Sequence, residues 1–431
     1  MGISELAARG VAMLGATMIL IRRFGTKTAA PAIGLTPKIP LAKAQGIPTL
    51  KMPTAKGWIP GHLPTAAPGL KVNAFATGLD HPRSLEVLPN GDVLTAEAMF
   101  VPGGIKTPFD YAMHVTMKRA AAIGDSPNRV ILLRDADGDG VAETREVFLD
   151  QQNQPFGVVH LNGTIYLGNT DALLAFPYKD GQTKITAPAK QLASFKPGGH
   201  WTRSLILSRD NSKIYVGVGS DTNIANNGMA LEEGRAMIQV YDIASGEIRP
   251  FGTGLRNPVG MAWEPASDTL FTVVNERDGL GDETPPDYLT SVVDGGFYGW
   301  PYCYWGQIVD DRVPQDAALV ARAIQPDYAL GGHTASLGLC WMPEGTLPGF
   351  PDGMVIGQHG SWNRSTLSGY KVIFVPFVDG KPQGASRTIL SGFLSEDEKY
   401  SYGRPVGVAI KDGALLVADD VGDVIWRVTE A

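Results

Sequence analysis

The stretch PRSLEVLPNGDVLTAEA, from Pro82 to Ala98, decides the fold because it recurs. A small residue, an apolar run, a polar turn and a second apolar run return as PFGVVHLNGTIYLGNTDA from Pro155 and TRSLILSRDNSKIYVGVGSD from Thr202. PVGMAWEPASDTLFTVVNE from Pro258 is the fourth copy, and ASLGLCWMPEGTLPGFPDGMVIGQHG from Ala335, with a longer turn, is the fifth. PVGVAIKDGALLVADD from Pro405 completes the set, with the small residues at Ser84, Gly157, Ser204, Gly260, Gly338 and Gly407 about 65 residues apart on average. Each copy reads as a two-stranded hairpin, with Asn-Gly or Asp-Gly at the turn in three of them. A spacing of that size leaves room for a four-stranded unit and one generous loop. One such sheet cannot bury both of its faces, whereas six arranged radially can, so the chain is expected to be all-β: a six-bladed β-propeller. The last copy is one strand short, and Lys71–Thr77, just ahead of the first copy, is placed to fill it and close the ring.

Composition agrees. Of 431 residues 52 are Gly and 31 Pro, which marks a turn-rich chain. Only 19% are charged, which argues against a coiled coil, a disordered chain or a nucleic-acid-binding basic protein. Residues 1–79 carry nine Lys or Arg and one acid, Glu5, while the remainder carries 28 basic and 43 acidic residues. A basic leader thus precedes an acidic body, and residues 1–64 are read as a leader and a Pro/Ala-rich linker, with 65–431 as the propeller. The apolar run Gly10–Ile21 is shorter than the ~20 residues a spanning helix needs and is closer to the core of an export signal. Ala30, Pro31 and Ala32 offer a small-residue cleavage pattern, but Arg22 and Arg23 follow the run instead of preceding it. Periplasmic export is the favoured reading; a short membrane anchor at the N-terminus and a mis-assigned start remain the alternatives. Two cysteines, Cys303 and Cys340, exclude a disulfide framework and leave one bridge or two buried thiols open.

In a propeller the equivalent corner of every blade converges on the mouth of the central channel. At that corner stand His81 and Arg83, Gln154, His200 and Arg203, Arg256 and Asn257, His333, and Arg404. Cations and imidazoles gathered at one mouth suit a multiply charged anion. Arg83 and Arg203 are read as structural; Arg256 and Arg404, at matching corners, are read as functional.

The runs GTGLRNPVGMAWEP (Gly252–Pro265), NERDGLGDE (Asn275–Glu283) and DGGFYGWP (Asp294–Pro301) resemble the glucose/sorbosone dehydrogenase family of soluble quinoproteins, which oxidise sugars with pyrroloquinoline quinone (PQQ). GGHWTRSLILSRDNSKIYVGVGSD from Gly198 is similar to the family's catalytic-histidine segment, and YGRPVGVAIKDGALLVADD from Tyr402 to its last blade. HGSWNRS (His359–Ser365) and the DADGDG loop look closest to the sorbosone branch. The resemblance spans roughly residues 70–431 and itself implies a six-bladed fold. It implies His200 as the base that takes the sugar hydroxyl proton, Arg256 as the cation that polarises the quinone oxygen, Asn257 and Arg404 as cofactor ligands, and Gln154 as an orienting group. It also implies a calcium held by backbone carbonyls, a place taken here by Arg277 and Asp278 instead of Gly and Pro, with the Asp278 carboxylate as a further hard oxygen. A lysine that contacts the cofactor in some relatives has Arg364, or His359 beside it, as its nearest counterpart, and Val406 stands where some relatives carry a second arginine. The partners implied are a small sugar and an external electron acceptor, a quinone or a cytochrome, with no nucleic acid.

A second metal signal is independent of the resemblance. Asp135, Asp137, Asp139 and Glu146, with Gly140 at the turn, match the spacing of a twelve-residue calcium loop, here between strand-like flanks. Asp and Gly are also ordinary turn residues, so a solvated acidic turn is the alternative. The aromatic run FYGWPYCYWG (Phe297–Gly306) is read as inter-blade core at Trp300 and left open at Tyr302 and Trp305. Two competing functions remain. A calcium-dependent propeller lactonase needs a floor of Asp, Glu and Asn, and a non-catalytic binding propeller needs no such chemistry.

Overall fold

The computed structural model describes residues 31–46, 49–105 and 107–431. The apolar run Gly10–Ile21 and most of the proposed leader therefore lie outside the described residues. Six antiparallel sheets of four main strands stand around one axis. The first copy supplies Pro82–Val87 and Val93–Glu97, and Arg129–Arg134 and Thr144–Leu149 complete its blade. Leu70–Thr77 pairs antiparallel with Val424–Glu430, in the register Val424 to Thr77 and Glu430 to Leu70, so the sixth blade is closed by the N-terminal strand.

Alternation along the strands explains the burial. Leu94 and Leu132 join a core with Val158, Ile165 and Leu167 of the second blade, while Val93, Ile131 and Leu133 face Leu416, Ala418 and Ile425 of the sixth. Successive residues of one strand thus enter different inter-blade layers, as a period of two demands. Comparable layers fill the four other blade interfaces, so both faces of every sheet are covered.

The recurring small residues lie where neighbouring inner strands meet at the axis. A Cβ on Gly157 would strike the backbone of Leu205, one on Gly338 the carbonyl of Val406, and one on Gly407 the carbonyl of Arg83. The inner strands enclose a channel of about 410 Å³. Its mouth end is sealed by Ala98, Phe156, Trp201, Val259, Leu337 and Val406, one apolar side chain from each blade or the loop leading into it.

The described residues of 31–64, part of the stretch read above as leader and linker, are docked. Ile33–Gly34 adds a strand to the fourth blade and Thr65–Ala66 one to the fifth. Between them Lys43 and Gln45 bond through their backbones to Leu280 and Gly279, Lys51 to Trp362, and Thr54–Ala55 pairs with Tyr400–Ser401. An insertion in the first blade carries the helix Pro108–Arg119, started by a Thr107–Asp110 capping box, and Arg119 reaches Thr54 at 3.0 Å. Among the described residues no helix is long and apolar enough to cross a membrane. Cys303 and Cys340 are both free thiols.

Candidate active site

The polar residues that precede each inner strand surround the apolar floor just described. Gln154, Asn257 and Arg404 each stand two residues before a floor residue, and His200 stands immediately before Trp201. Arg83 lies over the Trp201 ring at 5.3 Å and joins the two sides of the opening.

On the side of blades three and four, His200 Nδ1 lies 3.0 Å from both the carbonyl and the Oγ of Ser220. A carbonyl only accepts, and the Ser220 hydroxyl donates to Thr222 O at 2.7 Å, so Nδ1 carries the proton and Nε2 keeps its lone pair. Burial, aided by the neighbouring Arg256 charge, lowers the imidazole to about 3 and keeps the ring neutral. A Cβ on Gly219 would collide with His200 and Asn257, so close packing fixes both.

Arg256 is buried and held by carbonyls: Glu276 at 2.9 Å, Asn275 at 3.2 Å and Asn223 at 3.2 Å. Its Nη2 reaches Asn223 Oδ1 at 2.9 Å and Asp278 Oδ2 at 3.4 Å. The other Asp278 oxygen lies 3.2 Å from His333 Nδ1, while His333 Nε2 donates to Gly281 O at 2.9 Å. Both His333 nitrogens therefore face acceptors. Burial opposes its charge, but the hydrogen bond and charge of Asp278 outweigh it and raise its pKa. Burial likewise pushes Asp278 up, and His333 with Arg256 more than reverse this. Asn257 Oδ1 accepts from Thr202 at 2.9 Å, which orients the amide and leaves its Nδ2 donors without a partner among the described residues.

Across the opening Asp420 is fully buried and accepts from His359 Nε2 (2.9 Å) and Arg83, with His81 Nε2 3.2 Å from the same carboxylate. Despite burial, these neighbours hold it far below the usual carboxylate range. His359 itself is lowered to about 3, first by burial and then by Arg404. Arg404 donates to His359 O at 2.9 Å and Gly360 O at 2.7 Å and lies 5.2 Å over the Tyr370 ring. Among the described residues it has no acidic partner within salt-bridge range. A guanidinium buried to 9% exposure with no counter-ion is a ready anion site.

Several expectations need correction. Arg364, expected as a cofactor ligand, instead donates to Thr366 O, Asp282 O, Gly332 O and Glu283, and so acts as a buried clamp between two loops. Arg277 and Asp278 do not present a free carbonyl pair for calcium. The Arg277 side chain, ion-paired to buried Asp310, folds back onto Asp278 O at 2.7 Å, and Asn223 Nδ2 donates to the same oxygen at 3.0 Å. The oxygens that remain are the Arg277 carbonyl, which has no donor among the described residues, and the Asp278 carboxylate, shared by Arg256 and His333. Glu146 is not in the acidic loop; Glu143 is, with its ligand atom within 4.8 Å of those of Asp135, Asp137 and Asp139. The strand begins at Thr144 and pairs Glu146 with Leu132, and extended backbone carries position 146 away where a helix would bring it back. The loop's carboxylates already accept the amides of Ala136, Gly138, Asp139, Gly140 and Val141.

Other placements are simpler. Gln154 is half-buried, and its Nε2 donates to Met99 O at 2.9 Å. Arg83 pairs with Asp420, and Arg203, fully buried, bonds Thr202 and Lys196 carbonyls, the structural role expected of both. Trp300 is buried and donates to Asn223 O (3.0 Å), a carbonyl of the Arg256 cradle, while Trp305 lies in the layer between blades three and four and Tyr302 lines a separate cleft. Sequence reasoning missed Ser220, Asn223 and Asp420. Ser220 and Asp420 follow the second strand of their hairpins, which returns antiparallel to the same mouth, so applying the corner rule to that end would have found them.

The chain matches the TrAA12-like family over residues 64–431. A curated relative, the pyrroloquinoline quinone-dependent pyranose dehydrogenase of Coprinopsis cinerea, is 25% identical over 382 residues, which cover 72% of this chain and 52% of that protein. The chain thus spans about half the length of that relative. Among solved structures, the Trichoderma reesei enzyme of carbohydrate-active family AA12 superposes with a TM-score of 0.71 at 21% identity, covering 85% of this chain and 98% of that one. The holo PQQ domain of the Coprinopsis cinerea pyranose dehydrogenase gives 0.68 at 21% identity, covering 88% and 99%. With its six blades and a family match that runs through all of them, this chain belongs to the TrAA12-like family.

Proposed function

We propose that the protein is a PQQ-dependent dehydrogenase that oxidises a hydroxyl of a sugar, either an aldose or a sugar aldehyde of the sorbosone type. The observation that carries this reading is the neutral His200, its Nε2 lone pair without a donor among the described residues, beside buried Arg256 and over an apolar floor. PQQ, when bound, supplies the hydride acceptor and a set of carboxylates. His200 Nε2 takes the hydroxyl proton of the substrate, and the bond from Nδ1 to Ser220 holds the ring in the required tautomer. Arg256 provides fixed positive charge where negative charge develops, and its carbonyl cradle spares it any reorganisation. Arg404, with its uncompensated charge, and the Nδ2 of Asn257 bind cofactor oxygens. The residues at the mouth fit a planar polyanion. The carbonyl of 278 is already taken by Arg277 and Asn223, and no role is assigned to a metal there.

Electrons pass to an external quinone or cytochrome, and the compartment is the periplasm, a reading supported by the apolar run Gly10–Ile21 and the small residues Ala30, Pro31 and Ala32 after it. A lactonase is disfavoured because Asp278 and Asp420, acids at the mouth, are each engaged by Arg and His. Reconstitution tests the proposal. Purified protein titrated with PQQ is expected to reduce a dye with aldoses or sorbosone; hydrolysis of lactones with Ca²⁺ alone, and no dye reduction, would replace it.

A further inference from the structure

The described residues of 31–63 lie ahead of the region that matches the family, yet they cross the mouth-side loops of blades four, five and six. At the loop that follows Asp278, Asn363 bridges the strap to the blade: Gly279 N donates to Asn363 Oδ1 at 3.0 Å, and Asn363 Nδ2 donates to Thr49 O at 2.8 Å. At the Arg404 corner the tie is a side chain. Trp58 Nε1 donates to Asp419 Oδ2 at 2.6 Å, and Trp426 Nε1 donates to the same oxygen at 3.1 Å. The other oxygen, Oδ1, accepts the backbone N–H of Arg404 at 2.7 Å and that of Gly422 at 2.8 Å.

The arrangement answers a backbone problem. Arg404 precedes Pro405, the first residue of the inner strand, so no ladder N–H is available at that strand start. The Asp419 carboxylate provides the missing anchor and thereby sets where the Arg404 side chain leaves the backbone. Asp419 is fully buried, so each of its lone pairs needs a donor. Two glycines clear the space: a Cβ on Gly403 would collide with the carboxylate, and one on Gly422 would collide with the carboxylate and meet the Trp58 ring at 2.6 Å. The indole is wedged edge-on against Phe393 (5.4 Å) and Trp426 (5.3 Å).

We infer that Trp58 is a positioning residue for the anion site: through Asp419 it holds the backbone of Arg404, so the strap outside the family's domain is a working part of the mouth. This rests on Arg404 binding the cofactor, and the test separates the two ideas. Trp58→Phe keeps the ring packing and removes the N–H. In the apoprotein, hydrogen exchange at the Arg404 amide is expected to quicken by about tenfold or more. PQQ titration by fluorescence quenching is expected to give a Kd raised roughly 3- to 30-fold, with kcat at saturating PQQ and the sugar KM unaltered. Gly422→Ala, which displaces the same pair from the opposite side, is expected to reproduce both effects. Unchanged Arg404 exchange in both variants overturns the inference, as does faster exchange with an unchanged PQQ Kd. If the wild-type protein binds no PQQ, the cofactor reading falls, and the exchange experiment still decides whether the strap holds Arg404.

Discussion

Replacing His200 with Ala isolates the base. The variant keeps the Cβ that packs against Gly219, and it leaves the Arg256 cradle of Asn223, Asn275 and Glu276 untouched. What is lost is one unprotonated nitrogen, so the expected change is in kcat, by roughly 10²- to 10⁴-fold, the usual contribution of a positioned general base. The Kd for PQQ stays within about twofold, because the histidine is assigned to the substrate proton. Stopped-flow dye reduction with reconstituted protein measures kcat, and a separate quenching titration measures Kd. The protonation state is checked without any cofactor: ring-nitrogen NMR of the apoprotein should show Nδ1–H and bare Nε2 throughout pH 5 to about 8, since burial and Arg256 place the pKa near 3. A kcat within about threefold of wild type, or a proton on Nε2 at neutral pH, refutes the assignment.

Four further outcomes follow from the same geometry. Arg404→Gln should weaken PQQ roughly 10- to 100-fold, the worth of one charge-assisted hydrogen bond, while a titration that matches wild type would remove Arg404 from the anion site. Asp420→Asn breaks a buried cluster with His81, Arg83 and His359 and should cost about 3 kcal/mol in urea unfolding; a loss under about 1 kcal/mol would show the cluster to be incidental. His359, lowered to about 3, binds fewer protons folded than unfolded between that value and about 6.5, so native stability falls as pH drops through the window. His359→Asn should therefore flatten the stability–pH slope there, read from urea midpoints at pH 7 and 4.5, and an unchanged slope would contradict the burial argument. Leu132→Ala, at a fully buried site between blades one and two, should lose about 2–5 kcal/mol, and a near-neutral result would mean that layer is loosely packed.

The six recurring hairpins, the strand that closes the ring and the corner occupied by His200, Arg256, Asn257 and Arg404 were legible in the chain itself. Repetition makes them so: the period of two, the turn residues and the small position at the axis are local constraints that every blade must satisfy. What only the folded molecule decided is how each cation is used. Arg256, Arg364 and Arg404 look alike in sequence, yet Arg364 spends its donors on carbonyls and on Glu283, Arg256 shares Asp278 with His333, and Arg404 alone of the three is left without an acid. Such partners come from loops 20 to 81 residues away in sequence, and the Ser220, Asn223 and Asp420 contacts are of the same kind. The exchange of Glu146 for Glu143 in the acidic loop, and the docking of residues 31–64, have the same origin. Periodic patterns report which way a side chain faces, but the partner it meets there depends on distances that the tertiary packing alone sets.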